Sequence, residues 1–215
     1  MTFRSFGPDE FLFLLTGLQW TVLLTAIALI GGGIAGFLIA LARVSTIKWL
    51  RVVAGTYIQI IQGIPVLMIL FLSYYGLSLA GFDLHPLIAA GASMSIYASG
   101  YLAEIWRGCI QSVPKQQWEA SESLAMTRAQ QYRYVILPQA VRISLPSTVG
   151  FAVQVVKNTS IASIIGFVEL ARAGTLINNA TFQPFRVFVV VAALYFAVCY
   201  PLSLLSRWLE RRLNV

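Results

Sequence analysis

Four long runs of the sequence contain no Asp, Glu, Lys or Arg, and they constrain the fold more than any other feature. The runs cover residues 11–42, 52–82, 84–103 and 187–206. An α-helix rises about 1.5 Å per residue, so about 20 apolar residues cross the roughly 30 Å hydrocarbon core of a bilayer. Each run is long enough for one transmembrane helix. The sequence therefore predicts an all-α integral membrane protein.

The overall composition excludes the main classes of water-soluble chain. Apolar residues make up 58% of the 215 residues and charged residues only 11%, against about 45–50% and about 25% in soluble proteins. Disordered chains need a polar composition, and a disulfide scaffold needs more cysteines than Cys109 and Cys199. We expect a single membrane domain, 1–215, without a nucleic-acid partner.

A fifth span is predicted at about residues 144–166, although Lys157 interrupts that stretch. With five spans and the N-terminus outside, the three most basic segments all face the cytoplasm, as the positive-inside rule requires. The N-terminal tail carries a single basic residue, Arg4. The basic residues of the three segments are Arg43, Lys48 and Arg51; Arg107, Lys115, Arg128, Arg133 and Arg142; and Arg207, Arg211 and Arg212.

The predicted spans are about 11–42, 52–80, 86–106, 144–166 and 187–206, with the C-terminus in the cytoplasm. The first run is too long for the apolar core of a signal peptide, so we expect it to be retained. The basic inner segments are also expected to contact anionic membrane lipid.

Small residues and one proline mark particular positions within the spans. Gly32 and Gly36 form a GxxxG pair, and Gly91, Ser95 and Ser99 recur at a spacing of four. This spacing predicts close helix packing, either within the chain or at a subunit interface. Pro65 predicts a kink in the second span, and Gln62 beside it either joins two helices or lines a polar path.

Polar residues in the fifth span are the strongest indication of a passage. Side chains of this kind inside a membrane need protein partners or water, and they commonly mark transport paths. Glu104, near the inner end of the third span, either lines the path or pairs with Arg107 three residues later. The candidate path residues are Gln62, Glu104, Gln154, Asn158, Thr159 and Ser160, with Lys157 among them.

No motif for catalysis or nucleotide binding is present in the sequence. It lacks G-x-x-x-x-G-K-[ST], H-E-x-x-H and G-x-S-x-G, and His85 is the only histidine. We therefore expect no catalytic residue, bound metal or cofactor in this chain, and a membrane-embedded enzyme is disfavoured. Two transport hypotheses remain: a permease subunit driven by a partner, and an autonomous channel or secondary carrier for a small polar solute.

The segment Ser112–Pro138 is the longest polar stretch and is predicted to face the cytoplasm. A short helix is expected from Pro114 to about Ala125. Thr127-Arg128-Ala129-Gln130 has the form of a capping box, which predicts a second short helix that ends at Pro138. Two such helices would form a knob able to dock into a soluble partner.

At these residues the chain resembles a known family, the binding-protein-dependent ABC importer permeases, and within it the polar amino acid importers. Residues 119–128 (EASESLAMTR) and 135–140 (VILPQA) are similar to the family's EAA loop. The likeness continues through 62–67 (QGIPVL), 101–108 (YLAEIWRG), 112–115 (SVPK), 157–160 (KNTS) and 166–170 (GFVEL).

The resemblance implies an importer-type (MetI-like) permease in the bacterial cytoplasmic membrane with five spans and a coupling loop, 112–138. It implies a second permease, identical or paralogous, two cytoplasmic ABC ATPases that use ATP, and an extracytoplasmic amino-acid-binding protein. The residues expected to couple to the ATPase are Trp118, Glu119, Ala120, Ser121, Leu124, Ala125, Met126, Thr127 and Arg128.

Two residues depart from the family's pattern. The usual loop glycine is Ala125, and a left-handed helix cap costs alanine about 1–2 kcal/mol, so we expect a different turn or compensation from docking. The family often has Asp after the lysine, where this chain has Asn158. The missing negative charge disfavours a cationic substrate and favours an uncharged or acidic polar amino acid.

Overall fold

The computed structural model describes residues 6–213, so Arg4 and the predicted outer tail around it lie outside the described residues. The described part is helical throughout and contains no strand. Its helices are α1 (Pro8–Val44), α2 (Lys48–Gly63), α3 (Val66–Leu79), α4 (Pro86–Ser112), α5 (Lys115–Ser123), α6 (Arg128–Ile165), α7 (Leu170–Thr181) and α8 (Pro184–Leu213). The fold is all-α, as predicted.

Three of these helices, α1, α6 and α8, are long and apolar enough to cross a membrane, and α2 with α3 adds a fourth if the pair is one span. Helix α4 has 27 residues, about 40 Å of helix, and is rich in Gly, Ala and Ser rather than Leu and Val. It packs against α1, α2, α3 and α6. A helix enclosed in this way needs few lipid-facing side chains, because its neighbours cover it. The number of spans stays a prediction.

The chain breaks at Pro65 instead of bending gently within one helix. Helix α2 ends at Gly63, Ile64 and Pro65 are extended, and α3 leaves at an angle of 102° to α2. Proline disfavours the helical conformation of the residue before it, so the helix ends where Ile64 precedes the ring. The expected kink is therefore a sharp corner between two helices.

The predicted small-residue faces of α1 and α4 meet inside the chain. A Cβ added to Gly32 would lie 2.5 Å from the Cβ of Ala98, and one added to Gly36 would lie 2.9 Å from the Ser99 carbonyl oxygen. The Ser95 hydroxyl donates to the Ile27 and Gly91 carbonyl oxygens. The GxxxG pair therefore serves packing within this chain, and Ala28, Ala98 and Leu102 form part of the core beside it.

The prediction that a helix ends at Pro138 is wrong. Helix α6 runs from Arg128 through Pro138 to Ile165, with a π-helical turn at Gln131–Ile136 and a 3₁₀ segment at Thr159–Ile165. A proline ring clashes with the carbonyl of residue i−4 in a regular α-helix. Here the wide π turn, closed by the Leu137 amide donating to the Tyr132 carbonyl, directly precedes the ring and opens the helix there.

Candidate functional site

An aromatic cluster on α4 forms the centre of the candidate site. Tyr101 stacks on Phe151 of α6 with ring centroids 5.5 Å apart. The ring centroid of Tyr97 lies 4.6 Å from that of Tyr101. Ile61 of α2 and Val155 of α6 pack into the same core. The cluster therefore joins three helices, each of which carries at least one predicted path residue. The sequence analysis missed it, although aromatic residues at i and i+4 in a predicted span were a usable signal.

Two of the predicted path residues on α6 lie together beside this cluster. The Gln154 side-chain amide donates to the Asn158 amide oxygen at 3.5 Å, and the Tyr97 side chain lies close to Asn158. Gln154 is exposed and Asn158 is half-buried. Gln62 is also exposed, on α2 directly after Ile61 of the cluster. These amides offer both donors and acceptors outside the packed core of the chain.

Thr159 and Ser160 differ from their neighbours because their hydroxyls bond to their own helix. Thr159 is buried and donates to the Val156 carbonyl at 2.7 Å, and Ser160 donates to the Lys157 carbonyl at 2.8 Å. Lys157 is exposed, one residue from Asn158. The structure thus groups Asn158 with Gln154 and Tyr97, and directs Thr159 into the protein, towards Tyr195.

Glu104 forms the ion pair that the sequence left as one of two alternatives. Both of its carboxylate oxygens accept hydrogen bonds from the Arg107 guanidinium, and Arg107 also donates to Gln111. Arg43 of α1 lies near enough to interact with the same carboxylate. A paired carboxylate of this kind neutralises a basic helix end. Its membership of the path remains a prediction.

Glu169 is a buried carboxylate that the sequence analysis did not single out. It is fully buried and caps the N-terminus of α7, where its oxygens accept the amides of Ala171 at 3.0 Å and Arg172 at 2.8 Å. The Tyr195 hydroxyl of α8 donates to it at 2.8 Å, and Thr21 of α1 donates at 3.4 Å. Hydroxyls and helix N–H groups stabilise the charge here. Glu169 therefore ties α7 to α1 and α8.

The predicted coupling segment forms a packed element at one end of α4. The rings of Trp118 and Tyr132 meet edge to face with centroids 5.3 Å apart, over a core of Ile110, Val113 and Ile136. Burial raises the pKa of the Tyr132 hydroxyl. Ser121 is buried and donates to the Trp118 carbonyl at 2.7 Å. The element is α5 followed by the first turns of α6, instead of two separate short helices.

The turn after α5 is a Schellman motif with Ala125 in the left-handed conformation, at φ 54°. The Ala125 amide donates to the Glu122 carbonyl at 2.9 Å, and the Met126 amide donates to the Ser121 carbonyl at 3.2 Å. This hydrogen-bond pattern defines the motif, and Ala125 occupies its C′ position, which is usually glycine. Of the two expected alternatives, a different turn is wrong, because these two bonds hold alanine in the conformation that glycine would adopt. Compensation from docking stays a prediction.

Thr127, the residue after this turn, caps the start of α6 and forms the predicted capping box. The Thr127 hydroxyl accepts the Gln130 amide at 3.4 Å, and the Gln130 side chain accepts the Thr127 amide at 2.8 Å. Met126 is half-buried, and Leu124 is 76% exposed at the tip of the turn. The other predicted coupling residues exposed here are Glu119, Ala120, Ala125, Thr127 and Arg128. A hydrogen-bonded turn therefore presents one large apolar side chain among polar ones.

Comparisons with known proteins agree on the nature of the chain. Residues 32–215 match the family described as binding-protein-dependent transport system inner membrane component. The L-cystine transport system permease protein TcyB of Bacillus subtilis is 36% identical over 98% of this chain and 89% of its own length. The glutamine transport system permease protein GlnP of Escherichia coli K12 is 33% identical over 94% of this chain and 93% of its own length.

Solved structures show the same fold over nearly the whole chain. A crystal structure of an amino acid ABC transporter with histidines has a chain 37% identical to this one, with a TM-score of 0.90 over 99% of this chain and 100% of that one. A chain of the inward-facing MetNI methionine ABC transporter is 19% identical to this one. The alignment covers 97% of this chain and 99% of that chain, with a TM-score of 0.78. The chain belongs to the binding-protein-dependent transport system inner membrane components and is an amino-acid ABC transporter permease subunit.

Proposed function

We propose that the exposed polar face of α2 and α6 lines the translocation path, completed by a second permease, identical or paralogous. Gln62, Gln154 and Lys157 are exposed on the isolated chain, although each lies in a predicted span. An amide or ammonium facing lipid has no hydrogen-bond partner and is costly. Another protein surface or water must therefore cover these side chains. Their exposure is the observation that carries the proposal.

In this proposal the chain is one membrane domain of five spans, with α4 as the third. The corner at Pro65 makes α2 and α3 a broken span, of the kind tolerated where backbone lines a cavity. The N-terminus lies outside and the C-terminus in the cytoplasm. The proposed path residues are Gln62, Glu104, Gln154, Asn158 and Ser160, with Tyr97 and Tyr101 beside them; Thr159, which is buried, supports the helix behind them.

Energy is supplied from outside the chain. Two cytoplasmic ABC ATPases use ATP, and an extracytoplasmic binding protein delivers the amino acid. The element of α5 and the first turns of α6 contacts an ATPase, with Leu124 at the tip and Glu119 on the exposed side. The rigid cap at Ala125 and Thr127 supports this role, because movement of a partner is transmitted only through an element with a defined shape.

Reversing a charge on the loop tests the coupling. Glu119→Arg should abolish ATP-driven substrate transport by the assembled complex. ATP hydrolysis should persist, and membrane insertion should be unchanged. Glu210→Arg reverses the charge of another exposed acidic residue, near the end of α8, and is the matched control. Normal transport by Glu119→Arg, or equal losses in both variants, would remove this role from the loop.

The substrate is an uncharged or acidic polar amino acid. Among the relatives, GlnP is named for glutamine and TcyB for L-cystine. Asn158 is neutral, and its amide oxygen accepts a hydrogen bond from the Gln154 side chain. A neutral amide can accept from the ammonium and donate to the carboxylate of any amino acid, but it adds no attraction for a cationic side chain.

Uptake by the complete transporter in proteoliposomes tests this substrate class. Glutamine, glutamate and cystine should each compete better than arginine or lysine, and Asn158→Asp should shift the preference towards the cationic pair. Asn158→Gln keeps the amide and is the control. Arginine or lysine as the preferred substrate of the unaltered transporter would refute the assignment, and transport by this chain alone without ATP would refute the permease mechanism.

A further inference from the structure

A basic cavity lies between the end of α1 and the beginning of α2. Its volume is about 350 Å³. It is lined by Arg43, Lys48, Arg51, Thr56 and Gln59, together with Val52 and Gly55. In the described residues 6–213, no carboxylate lies within salt-bridge distance of the three cations. Arg43 also interacts electrostatically with Glu104, which already accepts two hydrogen bonds from Arg107.

A glycine on α2 gives this cavity its shape. The Arg43 guanidinium lies over Gly55, and a Cβ at that position would be 3.1 Å from the Arg43 Nε. A methyl group there would require the guanidinium to shift by a few tenths of an ångström, and a larger side chain would displace it. The bare backbone of α2 therefore leaves room for Arg43 to reach across from α1.

The wall of α2 beside the cavity is apolar and exposed. Trp49 is 64% exposed, Val52 57% and Val53 60%. Trp49 lies one residue after the first residue of the helix, and tryptophan is typical of the membrane interface. In the proposed orientation, Val52 and Val53 follow in the direction of the bilayer core. A cationic cavity is thus continuous with a surface suited to hydrocarbon.

We propose that this cavity binds the headgroup phosphate of an anionic phospholipid of the inner leaflet, with its acyl chains along Val52 and Val53. The three cations supply the charge, and Thr56 and Gln59 supply hydrogen-bond donors. Basic pockets between helices at the cytoplasmic side of a membrane are suited to anionic headgroups. The inference rests on the proposed orientation, which places this end of α1 and α2 in the cytoplasm.

The apolar wall distinguishes a lipid from a free phosphate ion. Inorganic phosphate gains from the cations alone, whereas a phospholipid gains from the cations and from the valines beside them. Phosphatidylglycerol should therefore bind, phosphatidylcholine should bind more weakly because its headgroup carries no net charge, and inorganic phosphate in solution should not compete.

The test measures phospholipid retained by the intact transporter after purification, by native mass spectrometry with defined phosphatidylglycerol and phosphatidylcholine. The triple variant R43Q/K48Q/R51Q should retain at least tenfold less phosphatidylglycerol. The variant R207Q/R211Q/R212Q removes the same charge from the end of α8 and should behave like the unaltered protein. Gly55→Leu keeps every charge but displaces Arg43, and it should also lose the lipid.

Three outcomes would overturn the proposal. Equal losses in the two triple variants would mean that only overall charge matters. Displacement of the lipid by millimolar inorganic phosphate would make this a site for a free anion. No preference for phosphatidylglycerol in the unaltered protein would mean that no anionic headgroup binds. Lipid retention is measured without ATP or substrate, so its failure is distinct from a failure of the transport proposal.

Discussion

Replacing Ala125 by glycine should stabilise the loop after α5. A residue with a Cβ in the left-handed conformation costs about 1–2 kcal/mol, which glycine avoids. Glycine loses more freedom on folding, which offsets about 0.4–1 kcal/mol of that gain. Ala125 is exposed, so its methyl group contributes no packing. The net expectation is a stabilisation of the Schellman motif by about 1 kcal/mol.

Hydrogen exchange of the loop amides measures this directly. The amides of Ala125 and Met126 close the motif, and a stabilisation of about 1 kcal/mol slows their exchange roughly fivefold where local opening controls it. The assay uses the permease in lipid nanodiscs without the ATPase, so that docking does not protect the loop.

Ala120→Gly is the matched control because Ala120 is also exposed but lies inside α5. Glycine inside a helix costs about 1 kcal/mol, so exchange of the same amides should become faster. Opposite effects of the same substitution five residues apart would confirm the left-handed conformation of Ala125. Unchanged or faster exchange in Ala125→Gly would refute it.

Three further substitutions test other contacts of the fold. Gly32→Ala should lower the thermal midpoint of the purified permease and cost about 1–3 kcal/mol of stability, because the added Cβ would lie 2.5 Å from the Cβ of Ala98. Gly33→Ala is the control, since the nearest contact of its Cβ would be Trp106 at 3.7 Å. Equal effects of the two substitutions would contradict the packing. Tyr195→Phe should cost about 1–3 kcal/mol by removing a donor from buried Glu169, whereas Tyr200→Phe, at a half-exposed position of α8, should have no effect on the same midpoint. Thr127→Ala should cost about 1 kcal/mol at the start of α6, seen as faster exchange of the Gln130 amide, while Thr127→Ser should remain close to the unaltered protein; a fast-exchanging serine variant would contradict the capping role.

Features fixed by neighbouring residues were predictable from the sequence. The capping box at Thr127 and Gln130 depends on two residues three apart, and the small-residue face of Gly32 and Gly36 depends on helical spacing alone. Both appear in the structure as expected. The partner of that face was not predictable, because nothing near Gly32 in the sequence identifies Ala98 as the residue it meets.

Features fixed by distant or competing contacts were not predictable. Glu169 is bonded to Thr21 and Tyr195, which are far from it in sequence. The continuation of α6 through Pro138 required a π turn, which local preferences for proline do not indicate. At Ala125 the preference of a single residue predicted one conformation, but two backbone hydrogen bonds of the Schellman motif favour another.

The contrast between satisfied and exposed polar groups indicates where this chain needs a partner. Tyr57 and Ser99 bond to each other at 2.7 Å between α2 and α4, and Glu169 is saturated between three helices. Gln62 and Lys157 are exposed although they lie in predicted spans. In lipid, each unpaired polar group of this kind would cost several kcal/mol. This contrast supports the proposal that a second permease and the transported amino acid lie against the face that carries Gln62 and Lys157.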